Sequence, residues 1–145
     1  MNTNDFVMSG IQLKKMIEKK VEPVIEEYDL RPVELDILVL LHQEKNIDTA
    51  KAIVQRKHLS KAHISKSIDN LSERGFIQIN EDETDRRILH ICLTDKSQEV
   101  VERMLNIYSE CKEIMERGVS AEEMEVVKNV LLKMMKNVNH ELGEE

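Results

Sequence analysis

At 145 residues the chain has the length of one domain and enough apolar content for a hydrophobic core. Its mean hydropathy of −0.43 and 34% charged residues leave no run apolar enough to span a membrane. Aromatic residues make up only 3% and Trp is absent, so Leu, Ile, Val and Met carry the apolar content, a mix that predicts helices over a β-rich fold. The first predicted helix covers residues 6–28, where Val7, Ile11, Ile17, Val21, Val24 and Tyr28 fall near one stripe and Pro23 is expected to kink or split it. Arg31-Pro32-Val33-Glu34 suits a helix start, with Pro in the first turn and Glu34 at the positive end. The following Leu35, Ile37, Leu38, Val39, Leu40 and Leu41 are apolar nearly all round, which predicts the buried centre. Asn46-Ile47-Asp48-Thr49 offers capping groups for a short third helix to about Arg56, and Lys57-His58-Leu59 forms a turn. Ser60 is a good N-cap for a fourth helix to Arg74, closed by Gly75.

After Gly75 the period changes. Phe76–Asn80 and Ile88–Leu93 alternate on either side of a polar loop, Glu81-Asp82-Glu83-Thr84-Asp85-Arg86-Arg87, which predicts a β-hairpin with a protruding tip. Thr94-Asp95 is expected to cap a long fifth helix bearing Val101, Met104, Leu105, Tyr108, Cys111 and Met115, ended by Gly118. Ser120-Ala121-Glu122-Glu123 reads as a capping box for a last helix carrying Met124, Val127, Val130, Leu131, Met134, Met135 and Val138. The order is mostly α: a winged helix-turn-helix with one β-hairpin wing and long N- and C-terminal dimerisation helices. The whole of 1–145 reads as a single domain, with residues 30–94 as the winged-helix lobe and residues 5–29 and 95–142 as a helical dimerisation region whose apolar faces exceed what a compact middle could cover.

The formal net charge of −7 argues against a nucleic-acid partner until its distribution is considered. Residues 49–68 contain Lys51, Arg56, Lys57, Lys61 and Lys66 and no acid, a local charge of +5, with His58 and His63 beside them. The acids gather elsewhere, at Glu122, Glu123 and Glu125 and at Glu141, Glu144 and Glu145. On the helix after Ser60, Ile64, Ile68 and Leu71 share the core face, which turns Lys61, Ala62, His63, Ser65 and Lys66 outward. A helix of this kind fits the DNA major groove with its N-terminal residues near base edges. Ser and His can hydrogen-bond bases or phosphates, Ala62 can touch a thymine methyl, and the lysines can meet phosphates. A solvated helix face is the plain alternative, yet Lys61 stands in a first turn where the helix dipole disfavours a cation.

The run Ser60-Lys61-Ala62-His63-Ile64-Ser65-Lys66-Ser67-Ile68-Asp69-Asn70-Leu71-Ser72-Glu73-Arg74-Gly75-Phe76-Ile77, followed by Asp82-Glu83-Thr84-Asp85-Arg86-Arg87 and Ile91-Cys92-Leu93-Thr94, resembles the MarR family of transcriptional regulators. The resemblance implies a homodimer on double-stranded DNA, reading palindromic operators as a repressor, released by a small, often aromatic or phenolic, effector. It further implies that Arg87 enters a minor groove while Asp85 holds it in position, with Arg86 on a phosphate. The candidate DNA-contacting set is then Thr49, Ser60, Lys61, Ala62, His63, Ser65, Lys66, Arg86 and Arg87, with Asp85 positioning the wing; the effector-binding residues stay unassigned.

Other chemistry is weakly supported. No Ser/His/Asp arrangement, Gly-rich phosphate loop or carboxylate pair stands out, so an enzyme is not predicted. His42, His58, His63, His90 and His140 lack metal-ligand spacing, so neither a metal site nor a cofactor is predicted. Cys92 and Cys111, together with an N-terminus lacking a basic flank and apolar run, predict a cytoplasmic protein without disulfides. The overall acidity leaves a second reading open, a winged helix that binds another regulator and no DNA.

Overall fold

A computed structural model describes residues 2–143, so Glu144 and Glu145 of the C-terminal acidic group lie outside the described residues. Eight elements follow in chain order: α1 (Thr3–Tyr28), α2 (Pro32–Gln43), α3 (Ala50–Lys57), α4 (Lys61–Glu73), β1 (Ile77–Glu81), β2 (Leu89–Leu93), α5 (Asp95–Glu116) and α6 (Ala121–Leu142). The order is the winged helix-turn-helix with long terminal helices that the sequence predicts. The described residues fall into two compact units, divided after Ser109.

In the first unit, α1 starts on a reciprocal cap, in which Asn2 Oδ1 accepts from the Asp5 N–H and Asp5 Oδ2 accepts from the Asn2 N–H. Pro23 neither splits nor ends this helix, which runs uninterrupted to Tyr28. The helix loses one backbone hydrogen bond at the Pro, and the burial of Val21 and Val24 on either side holds it together. Asp29 then turns left-handed at φ 50° and releases the chain into α2. α2 is the centre of the lobe: Leu35, Ile37 and Leu38 are fully buried, and Val39, Leu40 and Leu41 nearly so. Ile53 of α3, Ile64, Ile68 and Leu71 of α4, and Phe76, Ile77 and Ile91 of the hairpin close over it, joined by Val100, Val101 and Met104 of α5. Each such side chain fully withdrawn from water contributes about 1.5–3 kcal/mol.

The hairpin is antiparallel, pairing Ile77 with Leu93, Gln78 with Cys92, Ile79 with Ile91, Asn80 with His90 and Glu81 with Leu89. Both strands begin one residue later than the alternation suggests, because Phe76 is spent inside the core and Ile88 belongs to the tip. At the start of α5 the Thr94 hydroxyl donates to the Gly75 carbonyl at 2.6 Å, so the predicted cap residue also ties the end of the hairpin to the exit of α4.

In the second unit, α6 opens on the predicted capping box: the Glu123 N–H donates to Ser120 Oγ and the Ser120 N–H to Glu123 Oε2. Val127, Val130, Leu131, Met134 and Val138 form an i, i+3, i+4 row along α6, and each is at least 40% exposed. No described helix is long and apolar enough to cross a membrane.

Candidate nucleic-acid interface

α3 and α4 make the helix-turn-helix. Thr49 caps α3, its Oγ1 accepting from the Ala52 N–H at 3.2 Å, and Ser60 caps α4, its Oγ accepting from the His63 N–H at 3.2 Å. In each case the cap uses a lone pair and leaves the hydroxyl proton free to donate outward. Between them His58 takes the left-handed conformation at φ 53°, which turns the chain from one helix to the next. Removing the cap by Ser60→Ala is expected to cost about 1 kcal/mol, read as a lower urea midpoint with faster amide exchange at His63.

The faces of α4 sort as their spacing predicts. Ile64, Ile68 and Leu71 are buried, and Ser67 joins them, its hydroxyl donating to the His63 carbonyl at 3.0 Å. Lys61, Ala62, His63 and Lys66 are exposed and Ser65 is half-buried, so one strip near the N-terminal half of the helix holds two cations, an imidazole, a hydroxyl and a methyl. Asp69 follows on the exposed side and marks where the strip stops being acid-free.

The +5 stretch is not uniformly available. Arg56 donates to Glu44 at 2.9 Å and Lys57 lies 3.3 Å from Asp36, so both tie α3 to α2. The linear sequence hides this because both carboxylates precede the acid-free window. Lys51, Lys61 and Lys66 remain exposed, without an ion pair among the described residues, and the last two share α4.

The wing tip is built by two aspartates. Asp82 Oδ2 accepts from the Thr84 N–H at 2.9 Å, the Thr84 hydroxyl at 2.7 Å and the Asp85 N–H at 3.0 Å, which folds the loop into a turn. Asp85 then grips Arg87: its two carboxylate oxygens accept from Nε and Nη2 at 3.1 and 3.2 Å, and Oδ1 also accepts from the Arg87 N–H at 3.0 Å. The Arg87 bonds hold the Asp85 carboxyl below the usual carboxylate range, so it stays ionised. The Arg87 side chain is 91% exposed despite this grip. Arg86 is similarly exposed and only loosely paired, 3.7 Å from Glu81. Two of the loop acids are therefore structural parts of the wing, not free charges around it.

Three residues of the wing and its base escape the linear reading. His90 on β2 has Nδ1 2.7 Å from Asp48 Oδ2 and Nε2 2.8 Å from Asp82 Oδ1. The signal was faint: His90 sits on the polar side of an alternating strand, and its partners lie 42 and 8 residues away. Glu34 is the fourth surprise, a carboxylate with 0% side-chain exposure that accepts from the Arg31 N–H, the Arg31 guanidinium and the Asn70 amide. Burial pushes its pKa up, but the bonds from Arg31 and Asn70 outweigh that and hold it below the usual range. This network fastens α4 to the start of α2. The exit of α4 is fastened as well: the Arg74 guanidinium donates to the carbonyls of Tyr28 and Asp29, and both Arg74 and Lys96 lie over the Phe76 ring.

An open groove of ≈ 1010 Å³ runs between α1, α2 and the middle of α5, lined by Ile17, Val21, Ile25, Leu35, Met104 and Tyr108. Cys111 is buried and Cys92 exposed.

A cation-bearing helix in a helix-turn-helix, flanked by an arginine-tipped hairpin, defines a winged-helix protein. Residues 28–88 match the MarR family. The fold agrees along nearly the whole length. A MarR protein from Peptoclostridium difficile is 25% identical with a TM-score of 0.79, covering 97% of this chain and 91% of its own. The S. aureus MepR–DNA complex is 22% identical at a TM-score of 0.74, covering 94% and 99%. A MarR family transcriptional regulator from Listeria monocytogenes complexed with 26mer DNA is 15% identical at 0.77, covering 97% and 95%. At those last identities the likeness is one of fold.

Proposed function

We propose that the protein is a DNA-binding transcriptional regulator that sets α4 in a major groove and Arg87 in the adjoining minor groove. The observation that carries this reading is the exposed Lys61-Ala62-His63-Lys66 strip of α4 standing with an Arg87 that is fixed by Asp85 yet open to solvent. The DNA complexes of MepR and of the Listeria protein support it by fold. In this reading Lys61, Lys66 and Arg86 meet phosphates, as do the free hydroxyl protons of Thr49 and Ser60, while Ala62, His63 and Ser65 reach base edges. Arg87 suits a narrow minor groove, where the negative potential is strongest.

Residues 30–94 form the DNA-binding lobe in this proposal, and residues 5–29 and 95–142 form the homodimer. The exposed apolar row of α6 supports the dimer, since a face of that kind is stable when a like face covers it. Two lobes about one helical turn apart, ~34 Å, would read a palindrome. The protein acts as a repressor, and a small aromatic or phenolic effector seated in the α1–α2–α5 groove changes the lobe spacing and lowers affinity.

Selection of genomic fragments bound by the purified protein, followed by mobility shifts over a range of salt, tests the reading. A specific complex is expected to lose about 10³-fold or more in affinity between 50 and 200 mM salt. Absence of any retained fragment at low salt would remove the proposal and leave the acidic winged helix as a protein-interaction module.

A further inference from the structure

The bond pattern at His90 selects a protonation state. A neutral imidazole has one N–H and one bare lone pair, so it can donate to one carboxylate while turning a lone pair toward the other. The imidazolium donates from both nitrogens. With Asp48 Oδ2 at 2.7 Å from Nδ1 and Asp82 Oδ1 at 2.8 Å from Nε2, the charged ring satisfies both oxygens and the neutral ring satisfies only one.

The two carboxylates belong to different parts of the lobe. Asp48 directly precedes Thr49, the cap of α3, and its carbonyl accepts from the Ile91 N–H at 2.6 Å. Asp82 organises the wing tip through Thr84 and Asp85, and Asp85 carries Arg87. A continuous line of polar contacts therefore leads from the start of the helix-turn-helix through Asp48, His90, Asp82 and Asp85 to the exposed guanidinium. We propose that His90, as its imidazolium, is a positioning residue that clasps the wing to the helix-turn-helix, so that duplex binding weakens when the ring gives up its proton. The clasp stands on this lobe's geometry; its effect on duplex binding rests on the reading given above for Arg87.

The charged groups facing the ring are Asp82 from the wing and Asp48 from the α2–α3 connection; Asn80, its partner across the ladder, is neutral. The bonds to Asp82 and Asp48 raise the His90 pKa above the ordinary histidine value, and the bond from His90 is the main cause that holds Asp82 far below the usual carboxylate range. A folded pKa raised above the unfolded one makes the clasp complete below about pH 6.5 and lost as pH rises through the higher, folded value. His63 on the exposed face of α4 is a second imidazole close to the proposed contact, so it must be controlled.

The test uses the full chain and three variants, His90→Gln, His63→Gln and Asp48→Asn, each first checked for an unchanged thermal midpoint within a few degrees. Nitrogen-15 chemical shifts of the His90 ring give its pKa and protonation. Amide exchange at Thr84 and Asp85 gives the order of the wing tip, and anisotropy of a fluorescein-labelled A·T-rich duplex at fixed low salt gives binding, all from pH 5.5 to 9. The expected result is a His90 pKa above 6.5 that falls in Asp48→Asn, and wing amides that exchange faster as the ring deprotonates. Duplex affinity should drop roughly three- to tenfold across that titration in the parent and in His63→Gln but much less in His90→Gln. An ordinary or lowered His90 pKa, or wing exchange identical in the parent and His90→Gln, overturns the clasp. Wing amides that follow the His90 titration in a protein that binds no duplex at any pH would uphold the clasp and overturn the DNA-binding reading.

Discussion

Arg87→Ala is expected to lower duplex affinity by about one to two orders of magnitude and to reduce the slope of log K against log salt by about two, one for each subunit of the proposed homodimer. The effect should be large because, in the proposed complex, the guanidinium would reach the groove already held by Asp85. Asp85 holds it through two side-chain bonds and one to its backbone, so little rotamer freedom remains to be lost on binding. Asp85→Asn keeps the cation but weakens the grip, so it should cost affinity while leaving the salt slope near the parent value. Arg86→Ala should shift the slope similarly with a smaller loss of affinity, because Arg86 is only loosely held by Glu81. Titrating a labelled A·T-rich duplex at four salt concentrations separates these outcomes. An Arg87→Ala protein with the parent's slope and affinity would mean that the wing does not touch the duplex.

The second large effect concerns stability. Glu34→Ala removes a fully buried carboxylate that collects the Arg31 guanidinium, the Arg31 N–H and the Asn70 amide at the junction of α2 and α4. Arg31 is 42% exposed and can turn to water, but the cavity and the stranded Asn70 amide remain. The expected loss is about 2–4 kcal/mol, or roughly 5–15 °C in the thermal midpoint. Glu34→Gln, nearly the same shape, should cost less. Because the folded pKa of Glu34 is depressed, its contribution is present above the unfolded carboxylate value and lost as pH falls through the folded one. Midpoints measured at pH 7 and at pH 3 should therefore converge between parent and Glu34→Gln, and a gap that stays constant would show that the charge of Glu34 contributes nothing.

The features legible in the sequence are those set by neighbours along the chain. Ser60 and Gly75 bracket α4 because caps act within one turn, the i, i+4, i+7 row of Ile64, Ile68 and Leu71 fixes its inner face, and the period-two runs disclose the hairpin. Contacts distant in sequence are where the linear reading stops. Glu34 looks like an ordinary first-turn acid, and only the fold brings Asn70, 36 residues on, against it. Arg56 and Lys57 look like free cations until α3 lies on α2 and finds Glu44 and Asp36. Pro23 looks like a break, and the packing of Val21 and Val24 overrides the local penalty. Asp85 and Arg87, two residues apart, are the exception: the family resemblance pairs them, and a short polar turn lets them meet.

The left-handed residue at position 58 leaves the chain a narrow choice of replacements there. Gly or Asn enters that backbone conformation readily, whereas Val or Ile carries a branched Cβ against the neighbouring carbonyl at a cost of about 1–2 kcal/mol. Pro is shut out altogether, since its ring fixes φ at a negative value. A strained replacement at this single site would disturb the turn into the cation-bearing helix while leaving every side chain proposed to face a duplex untouched. Loss of recognition by such a route would be invisible to any survey confined to the contact residues themselves.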